Sequence, residues 1–175
     1  MSRAVLSIGS NLGDRRRHLE QAVRLLGSSV VKASGVYETA PWGDPDQPPY
    51  LNAVLLVADP KAAPRDWLER ARACETAARR VRDPERPLGP RTLDVDVIAV
   101  WDADDEPVFS DDPDLILPHP RAHQRAFVLR PWIDIEPYGQ LPGRGWLTDL
   151  LNTPAVADDL AGMTLRNEIA LESRA

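Results

Sequence analysis

The chain has 175 residues, of which 43% are hydrophobic and 27% charged, and this composition is typical of one globular domain. A net charge of −6 disfavours binding to nucleic acid or anionic membranes, and no apolar stretch reaches the roughly 18 to 20 residues of a membrane span. A single cysteine, Cys74, excludes an internal disulfide. With no signal-peptide layout at the N-terminus, we expect a cytoplasmic protein.

The first third of the chain predicts a strand, a helix and a second strand. An apolar run through Ile8 stops at Gly9 and predicts a buried strand. Asp14 is a suitable helix cap, and apolar residues then recur at helical spacing up to Gly27, which ends the helix. Residues 30–37 are rich in β-branched side chains and predict the second strand.

The middle of the chain begins with a loop over residues 40–49 that is dense in proline and glycine, as is typical of a binding loop. Residues 50–57 predict a third strand, and a second helix is expected from Pro64 to about Arg79. An arginine-rich loop follows. Residues 92–100 then alternate apolar and polar side chains, which predicts a fourth strand.

The last third predicts shorter elements. They are a hairpin turn over 102–107 with a short strand at Val108-Phe109, a helix that Pro118-His119-Pro120 opens and that reaches Arg130 or beyond, and a helix over 146–151. From Asn152 onward we expect weak order.

The predicted order of elements is strand, helix, strand, strand, helix, strand. This order favours an α+β fold, namely a ferredoxin-like antiparallel sheet with helices on its faces, plus a C-terminal helical extension. No linker or repeat divides the chain, so we expect a single domain over residues 1–164 and a flexible tail over 165–175.

Asp94 and Asp96 are the first candidates for chemistry. Residues two apart on a strand project from the same face, so the two carboxylates can converge on a cation. Mg²⁺ prefers a pair of carboxylates together with water and substrate phosphates. A solvent-facing acidic strand would give the same pattern, and the pair alone does not decide between the two interpretations.

The loop before this strand carries concentrated positive charge. Its arginines are Arg79, Arg80, Arg82, Arg86 and Arg91. Arginine offers a planar set of donors that suits phosphate oxygens, although a run of this kind can also be a solvated loop. Carboxylates for a metal beside guanidinium groups for phosphate are the combination that phosphoryl transfer requires.

Further candidates lie outside this run. His119, between two prolines, could donate to a phosphate or act as an acid, and it could equally close the turn. Trp42, Tyr50, Asn52 and Phe127 could bind a flat heterocycle, because aromatic faces stack and an amide reads a ring edge. Each of these residue types also packs in ordinary cores.

Five blocks of sequence resemble one family. They are Ile8-Gly9-Ser10-Asn11-Leu12-Gly13, Tyr37-Glu38-Thr39-Ala40-Pro41-Trp42-Gly43, Tyr50-Leu51-Asn52-Ala53, Gly89-Pro90-Arg91-Thr92-Leu93-Asp94-Val95-Asp96, and Leu117-Pro118-His119-Pro120 with Arg125-Ala126-Phe127. The chain resembles the hydroxymethyl-dihydropterin pyrophosphokinases of folate biosynthesis over roughly residues 3 to 151.

The resemblance implies a Mg-dependent transfer of pyrophosphate from ATP to the hydroxymethyl group of a dihydropterin. It implies that Asp94 and Asp96 hold two Mg²⁺ ions and that Arg82 and Arg91 act with them in catalysis. The implied ATP contacts are Glu75, Arg80, Arg82, Arg86, Arg91, His119 and Arg125. The implied pterin contacts are Gly9, Asn11, Thr39, Ala40, Trp42, Tyr50, Asn52, Asp94 and Phe127. We expect a monomer whose only partners are these small molecules.

The sequence departs from the family pattern in three places. The arginine loop has one extra residue and no tryptophan, with Pro87-Leu88 in that position. Trp42 stands where many members carry leucine, and Asp114 where some carry arginine, so that one ATP contact is in doubt.

Two other functions fit part of the sequence. A ferredoxin-like RNA-binding module needs a basic, aromatic sheet face, which the acidic Asp94 and Asp96 disfavour. A nucleotidyl transferase could use the same aspartates, but the slot for a small ring disfavours a polymer substrate.

Overall fold

The computed structural model describes residues 1–172. Its strands are β1 Ser2–Ser10, β2 Val30–Ala33, β3 Tyr37–Thr39, β4 Tyr50–Asp59, β5 Asp94–Trp101, β6 Ser110–Asp112, β7 Leu115–Leu117, β8 Gln140–Leu141, β9 Gly145–Trp146 and β10 Thr164–Leu165. Its α-helices are α1 Arg15–Leu26, α2 Pro64–Ala77, α3 Ala126–Ile135, α4 Leu147–Leu151 and α5 Pro154–Ala161. Short 3-10 helices cover Gly27–Ser29 and Ala122–Gln124.

Six of the strands form one antiparallel sheet. Its order is β10-β3-β4-β1-β5, and β2 pairs with another part of β4. The two long central strands, β1 and β4, pair over their full length, from Ser2 opposite Asp59 to Ser10 opposite Leu51. This order and the placement of α1 and α2 between strands confirm the predicted ferredoxin-like α+β fold.

Local sequence signals explain where α1 and α2 begin. The Asp14 carboxylate accepts the backbone N–H of Arg17 at 3.1 Å, as a helix cap does. Pro64 occupies the first turn of α2, and the Asp66 carboxylate accepts the N–H of Ala63 at 2.7 Å. Gly27 ends α1 with φ +56°, a value that glycine adopts without strain. The predicted extents of both helices are confirmed to within two residues.

The sheet is covered on both faces. On the first face, α1 and α2 pack through Leu19 and the fully buried Trp67 against alternate residues of β1 and β4 such as Leu6. On the second face, α3, α4 and α5 pack through Trp132 against Val5. The C-terminal extension therefore supplies a whole layer of the domain, and α3 brings its N-terminal end to the edge of the second face.

The predicted helix from Pro118 is wrong in its start. Residues 118–121 form a turn, and α3 begins only at Ala126. Prolines at 118 and 120 donate no backbone N–H and disfavour helical backbone in the residues before them. His119 donates its N–H to the carbonyl of Ile98 at 2.8 Å, so this segment lies along β5. Here proline excludes the helix where we had predicted that it opens one.

The predicted strand at Val108-Phe109 is also wrong. Only a single bridge joins Pro107 to Trp101, and the next hairpin is formed by β6 and β7. Phe109 is exposed, so these two residues do not form a strand that packs one face against a core.

The prediction of weak order from Asn152 is wrong for much of the described segment. Residues 154–161 form α5, β10 pairs with β3, and Ile169 and Leu171 are buried in the core under α1 and α2. Residues 173–175, the end of the predicted flexible tail, lie outside the described residues. Within residues 1–172 no helix has the length and apolar character needed to cross a membrane.

Candidate active site

The sheet register places a row of candidate side chains on the second face. Gly9 lies opposite Asn52 of β4 on one side and opposite Asp94 of β5 on the other. Since side chains alternate along a strand, Tyr50 projects beside Asn52 and Asp96 beside Asp94. The two aspartates therefore share one face, at the end of the sheet where the long loops meet.

The part of the second face that carries Tyr50, Asn52, Asp94 and Asp96 is called the groove below. The contacts of Asp96 in it are the following. Its Oδ2 is 3.2 Å from Nη1 of Arg125 and 3.9 Å from Nε2 of His119. About a quarter of its side chain is accessible, yet desolvation in the groove and the nearby Asp94 charge raise the pKa of Asp96 to about 7. The carboxylate is thus poorly compensated by the protein alone, as is typical of a group that binds a cation.

Asp94 belongs to a network of charges with α2. Its Oδ1 accepts a hydrogen bond from Nη1 of Arg80 at 2.7 Å, and its Oδ2 is 3.5 Å from Nη1 of Arg91. Arg80 also pairs with Glu75, which accepts from Arg82 at 2.7 Å and from the backbone N–H of Val95 at 3.1 Å.

Glu75 anchors this network from the helix. Burial raises its pKa, while the Arg80 charge acts in the opposite direction. Burial likewise disfavours the charged form of Arg80, but its two carboxylate partners raise the pKa above the usual value. Arg80 therefore stays charged and fixed, whereas the Arg82 side chain is largely exposed and is held by the protein through Glu75.

His119 is neutral at physiological pH. Burial and the positive charge of Arg125 lower its pKa to about 4. Its Nδ1 accepts the backbone N–H of Arg121 at 3.1 Å, so the ring proton lies on Nε2, which faces Asp96. The structure thus supports the turn-closing role of His119. The neutral ring leaves one N–H donor, which faces the groove. Because the imidazole is not protonated at neutral pH, it is unsuited to act there as an acid.

A slot lined by aromatic and polar side chains contains Asp94 and lies beside Asp96. Its lining residues are Thr39, Ala40, Trp42, Tyr50, Asn52, Leu88, Arg91, Asp94, Arg125 and Phe127. Asn52 donates from Nδ2 to Oγ1 of Thr39 at 2.7 Å, which fixes the amide in the slot wall. The cavity measures about 40 Å³, well below the roughly 300 Å³ at which ligand pockets begin, so we expect it to widen when a ring binds.

Arg125 joins the slot to the carboxylates. Its guanidinium carbon lies 4.9 Å from the Trp42 ring centre and 5.4 Å from that of Phe127, while Nη1 contacts Asp96. Burial lowers its pKa, although the nearby aspartates act against that shift. A guanidinium held between two aromatic rings is positioned rigidly beside the aspartates.

Gly9 lies directly against two residues of the slot wall, Asn52 and Tyr50. A Cβ at this position would lie 2.3 Å from Oδ1 of Asn52, so no side chain fits without moving the amide. We expect Gly9→Ala to raise the KM for a ring substrate about tenfold, since a displaced hydrogen-bonding group costs about 1 to 3 kcal/mol. Steady-state kinetics measure this effect. Gly162→Ala, where a Cβ meets no atom closer than 3.6 Å, is the matched control and should leave KM unchanged. An unchanged KM in Gly9→Ala would contradict this role.

Two predicted residues lie apart from the aspartates. Arg86 pairs with Asp44 at 2.5 Å and with the Asp46 carbonyl, both in the loop over residues 40–49. Asn11 donates to the Gln47 side chain at 2.8 Å and accepts the N–H of Arg91 at 2.9 Å, so it joins the two loops.

Sequence reasoning did not select three residues of these loops. Leu88 lines the slot and packs over Gly43, where an added Cβ would lie 2.7 Å from Leu88 Cδ1. Gln47 donates to the Leu88 carbonyl at 2.8 Å, and Asp44 holds Arg86. One signal in the sequence pointed to Leu88. It stands next to Gly89, where the family pattern has a tryptophan that this chain lacks.

The donor set fits Mg²⁺ better than a metal held by protein alone. Within residues 1–172 no group of three or more His, Cys, Asp or Glu side chains converges to hold an ion. Asp94 and Asp96 supply two carboxylates on one face, and Mg²⁺ completes its shell with water and substrate phosphates. The arginines that now neutralise these carboxylates are also the groups that can bind those phosphates.

Comparisons with known proteins are consistent with this geometry. Residues 5–137 match the sequence model of the family described as 7,8-dihydro-6-hydroxymethylpterin-pyrophosphokinase (HPPK). The chain is 44% identical over 181 residues to a 2-amino-4-hydroxy-6-hydroxymethyldihydropteridine pyrophosphokinase of Mycobacterium tuberculosis, covering 99% of this chain and 95% of the relative. For the Pseudomonas aeruginosa protein of the same name, identity is 36%, and 86% and 91% of the two chains are covered.

A solved structure has a similar fold. It is an HPPK-DHPS in complex with substrates, with a TM-score of 0.65 at 11% identity. The match covers 94% of this chain and 46% of the other, so this chain spans about half the length of that protein. At this identity the likeness shows the fold alone.

Proposed function

The chain belongs to the 7,8-dihydro-6-hydroxymethylpterin-pyrophosphokinase family, and from this premise we propose how its groove transfers pyrophosphate from ATP to the hydroxymethyl group of the dihydropterin. The products are the pterin diphosphate and AMP, and the reaction belongs to folate biosynthesis. One observation carries the assignment of the site: Asp94 lines the ring slot and at the same time contacts Arg80 and Arg91. The slot for the pterin ring, the carboxylate and the arginines that suit phosphate are thus next to one another.

We propose that ATP binds on the arginine side of the aspartates. Arg80 and Arg91 already lie against Asp94, and Arg82 and Arg125 flank them. Their guanidinium groups suit phosphate oxygens, and neutral His119 adds an N–H donor without adding charge. Arg86 requires release from Asp44 before it can reach the nucleotide, so its contribution depends on loop movement.

The pterin is proposed to bind in the slot between Tyr50 and Phe127. Burial raises the pKa of Tyr50, so its ring stays neutral and suited to stacking. Asn52 and Thr39 present polar groups to the ring edge, and the slot opens when Leu88 withdraws with the arginine loop. The hydroxymethyl group then faces Asp94, which lies at the end of the slot.

Asp94 and Asp96 are the residues that would hold two Mg²⁺ ions. Bound Mg²⁺ would supply charge neutralisation for the phosphate oxygens. The substrate hydroxyl oxygen forms a bond to the β-phosphorus while the bond between the β-phosphorus and the bridging oxygen to the α-phosphate breaks. AMP leaves with that bridging oxygen, and the hydroxyl proton is released to solvent. The chain's own work is to align these groups and to stabilise developing charge with Arg82 and Arg91.

We also propose the organisation of the molecule. The domain extends beyond the predicted boundary at residue 164, because Ile169 and Leu171 pack on the same core as α1 and α2. We propose a monomer, since all residues of the proposed site come from one chain. A cytoplasmic location accords with the use of ATP and with Cys74, a buried thiol whose pKa burial raises to about 11.

A product assay tests the function. The purified chain is incubated with Mg-ATP and hydroxymethyl-dihydropterin, and nucleotides are separated by chromatography. We expect AMP and pterin diphosphate in equal amounts, and no AMP without the pterin. ADP formation would instead indicate a simple kinase, release of free pyrophosphate a nucleotidyl transferase, and the absence of any product a binding module.

A further inference from the structure

The segment after α5 reaches β3, the strand whose last residue, Thr39, lines the ring slot. It lies beyond residues 5–137, the part of the chain that the family model matches. Strand β10 pairs antiparallel with β3, with Thr164 opposite Glu38. The next residue, Arg166, donates its backbone N–H to the carbonyl of Val36 at 2.8 Å. The C-terminal segment therefore covers the outer edge of β3.

Glu38 is the centre of a small ion-pair network at this edge. Its Oε2 lies 2.9 Å from Nη1 of Arg166 and 3.1 Å from Nη1 of Arg15. The same Arg15 nitrogen donates to the carbonyl of Pro49 at 3.0 Å. The network thus joins the C-terminal segment, β3, the start of α1 and the end of the loop over residues 40–49.

Strand β3 needs such support because it is short. It has three residues, and its last residue, Thr39, lies opposite Tyr50 where the loop over residues 40–49 leaves the sheet. Both side chains line the slot, and Thr39 accepts the hydrogen bond of Asn52. A three-residue strand that carries a long loop is held weakly by its ladder with β4 alone, so the contacts on its other edge decide how well Thr39 is fixed.

We propose that Arg166 is a positioning residue for the pterin, acting through Glu38 on the strand that carries Thr39. The proposal rests on the proposed function of the slot. A site that is already ordered binds its ligand with a smaller entropic cost, so loosening β3 weakens pterin binding. Arg166 is on the opposite side of β3 from the aspartates and touches no group that would hold ATP, so nucleotide binding is unaffected.

Steady-state kinetics of Arg166→Ala test this role. We expect the KM for hydroxymethyl-dihydropterin to rise about three- to fivefold, the range for losing a partly exposed ion pair, with kcat and the KM for ATP within about twofold of wild type. Arg166→Lys keeps one charge and should recover most of the affinity. Arg65→Ala is the matched control, because it removes an arginine whose exposed ion pair with Asp112 lies at the start of α2.

A double-mutant cycle tests the route through Glu38. Glu38→Gln should raise the pterin KM as well, and the double variant should show less than the product of the two single effects. An unchanged pterin KM in Arg166→Ala, equal changes in both KM values, or a fully multiplicative double variant would each overturn the proposal.

Hydrogen exchange separates this proposal from the function itself. The backbone amides of residues 37–39 should exchange faster in Arg166→Ala than in Arg65→Ala, without any substrate present. Unchanged exchange would mean that Arg166 does not brace β3. If the wild-type chain forms no AMP, the proposed function is refuted. The exchange experiment, which uses no substrate, would still test whether Arg166 braces β3.

Discussion

Replacing Asp96 by asparagine is expected to lower kcat by about 10³-fold or more, the scale on which charged transition states lose a preorganised electrostatic partner. Asparagine keeps the shape of the side chain, so the loss reports the carboxylate charge. Asp96 contacts Arg125 and lies beside Asp94, where a cation and the phosphates are proposed to meet. Turnover at saturating ATP and pterin, with Mg²⁺ varied, is the measurement.

The same change should leave the fold intact. The pKa of Asp96 is raised to about 7, so folding favours the protonated carboxyl. The stabilising contribution of this group is present at low pH and is lost as the pH rises from the unfolded value toward 7. Asparagine removes that cost, and we expect an unchanged or slightly higher Tm at pH 8.

Asp112→Asn is the control for this experiment. Asp112 is exposed on β6, where it pairs with Arg65 at 3.2 Å. Its replacement should keep wild-type kcat. Wild-type turnover in Asp96→Asn at modest Mg²⁺ would refute the role of this carboxylate, and a collapsed fold would show that it is structural instead.

Replacing Arg91 by alanine is expected to lower kcat about 10²-fold while the pterin KM changes by less than about threefold. Arg91 is largely buried, and Nη1 lies 3.5 Å from Asp94. Its other donors bond to loop carbonyls, of Gly89 at 3.1 Å and Pro87 at 3.2 Å, and its side chain also interacts with Tyr50. The guanidinium is therefore held in place beside the carboxylates and is available to the charge that develops on phosphate.

Rapid-mixing kinetics and equilibrium pterin binding separate the two effects in Arg91→Ala. Arg24→Ala, an exposed position in the last turn of α1, is the control for losing one positive charge and should behave as wild type. If Arg91→Ala weakens pterin affinity and leaves the chemical step unchanged, Arg91 is a wall of the slot and not a phosphate-binding group.

Much of the fold follows from local patterns in the sequence. The alternation over residues 92–100 placed β5 and put Asp94 and Asp96 on one face, because side chains on a strand repeat every two residues. The cap at Asp14 and the proline at Pro64 predicted where α1 and α2 begin, because unsatisfied N–H groups at a helix start favour such residues.

Local patterns failed where two signals competed. Pro118-His119-Pro120 is typical of a helix start, yet the missing N–H groups and the restricted backbone before each proline leave the segment as a turn beside β5. The segment after Asn152 lacks strong periodicity and was read as weakly ordered. It gains its structure from the surface on which it packs.

The sequence by itself determined the order of the main elements, the shared face of the two aspartates, and the family that the motifs indicate. Only the tertiary structure decided that Arg86 pairs with Asp44, that Leu88 lines the slot, and that Arg166 pairs with Glu38. Arg86 is 42 residues from Asp44, and Arg166 is 128 residues from Glu38. Local rules describe neighbours along the chain, whereas contacts between distant residues exist only once the sheet register and the two layers of helices have brought them together.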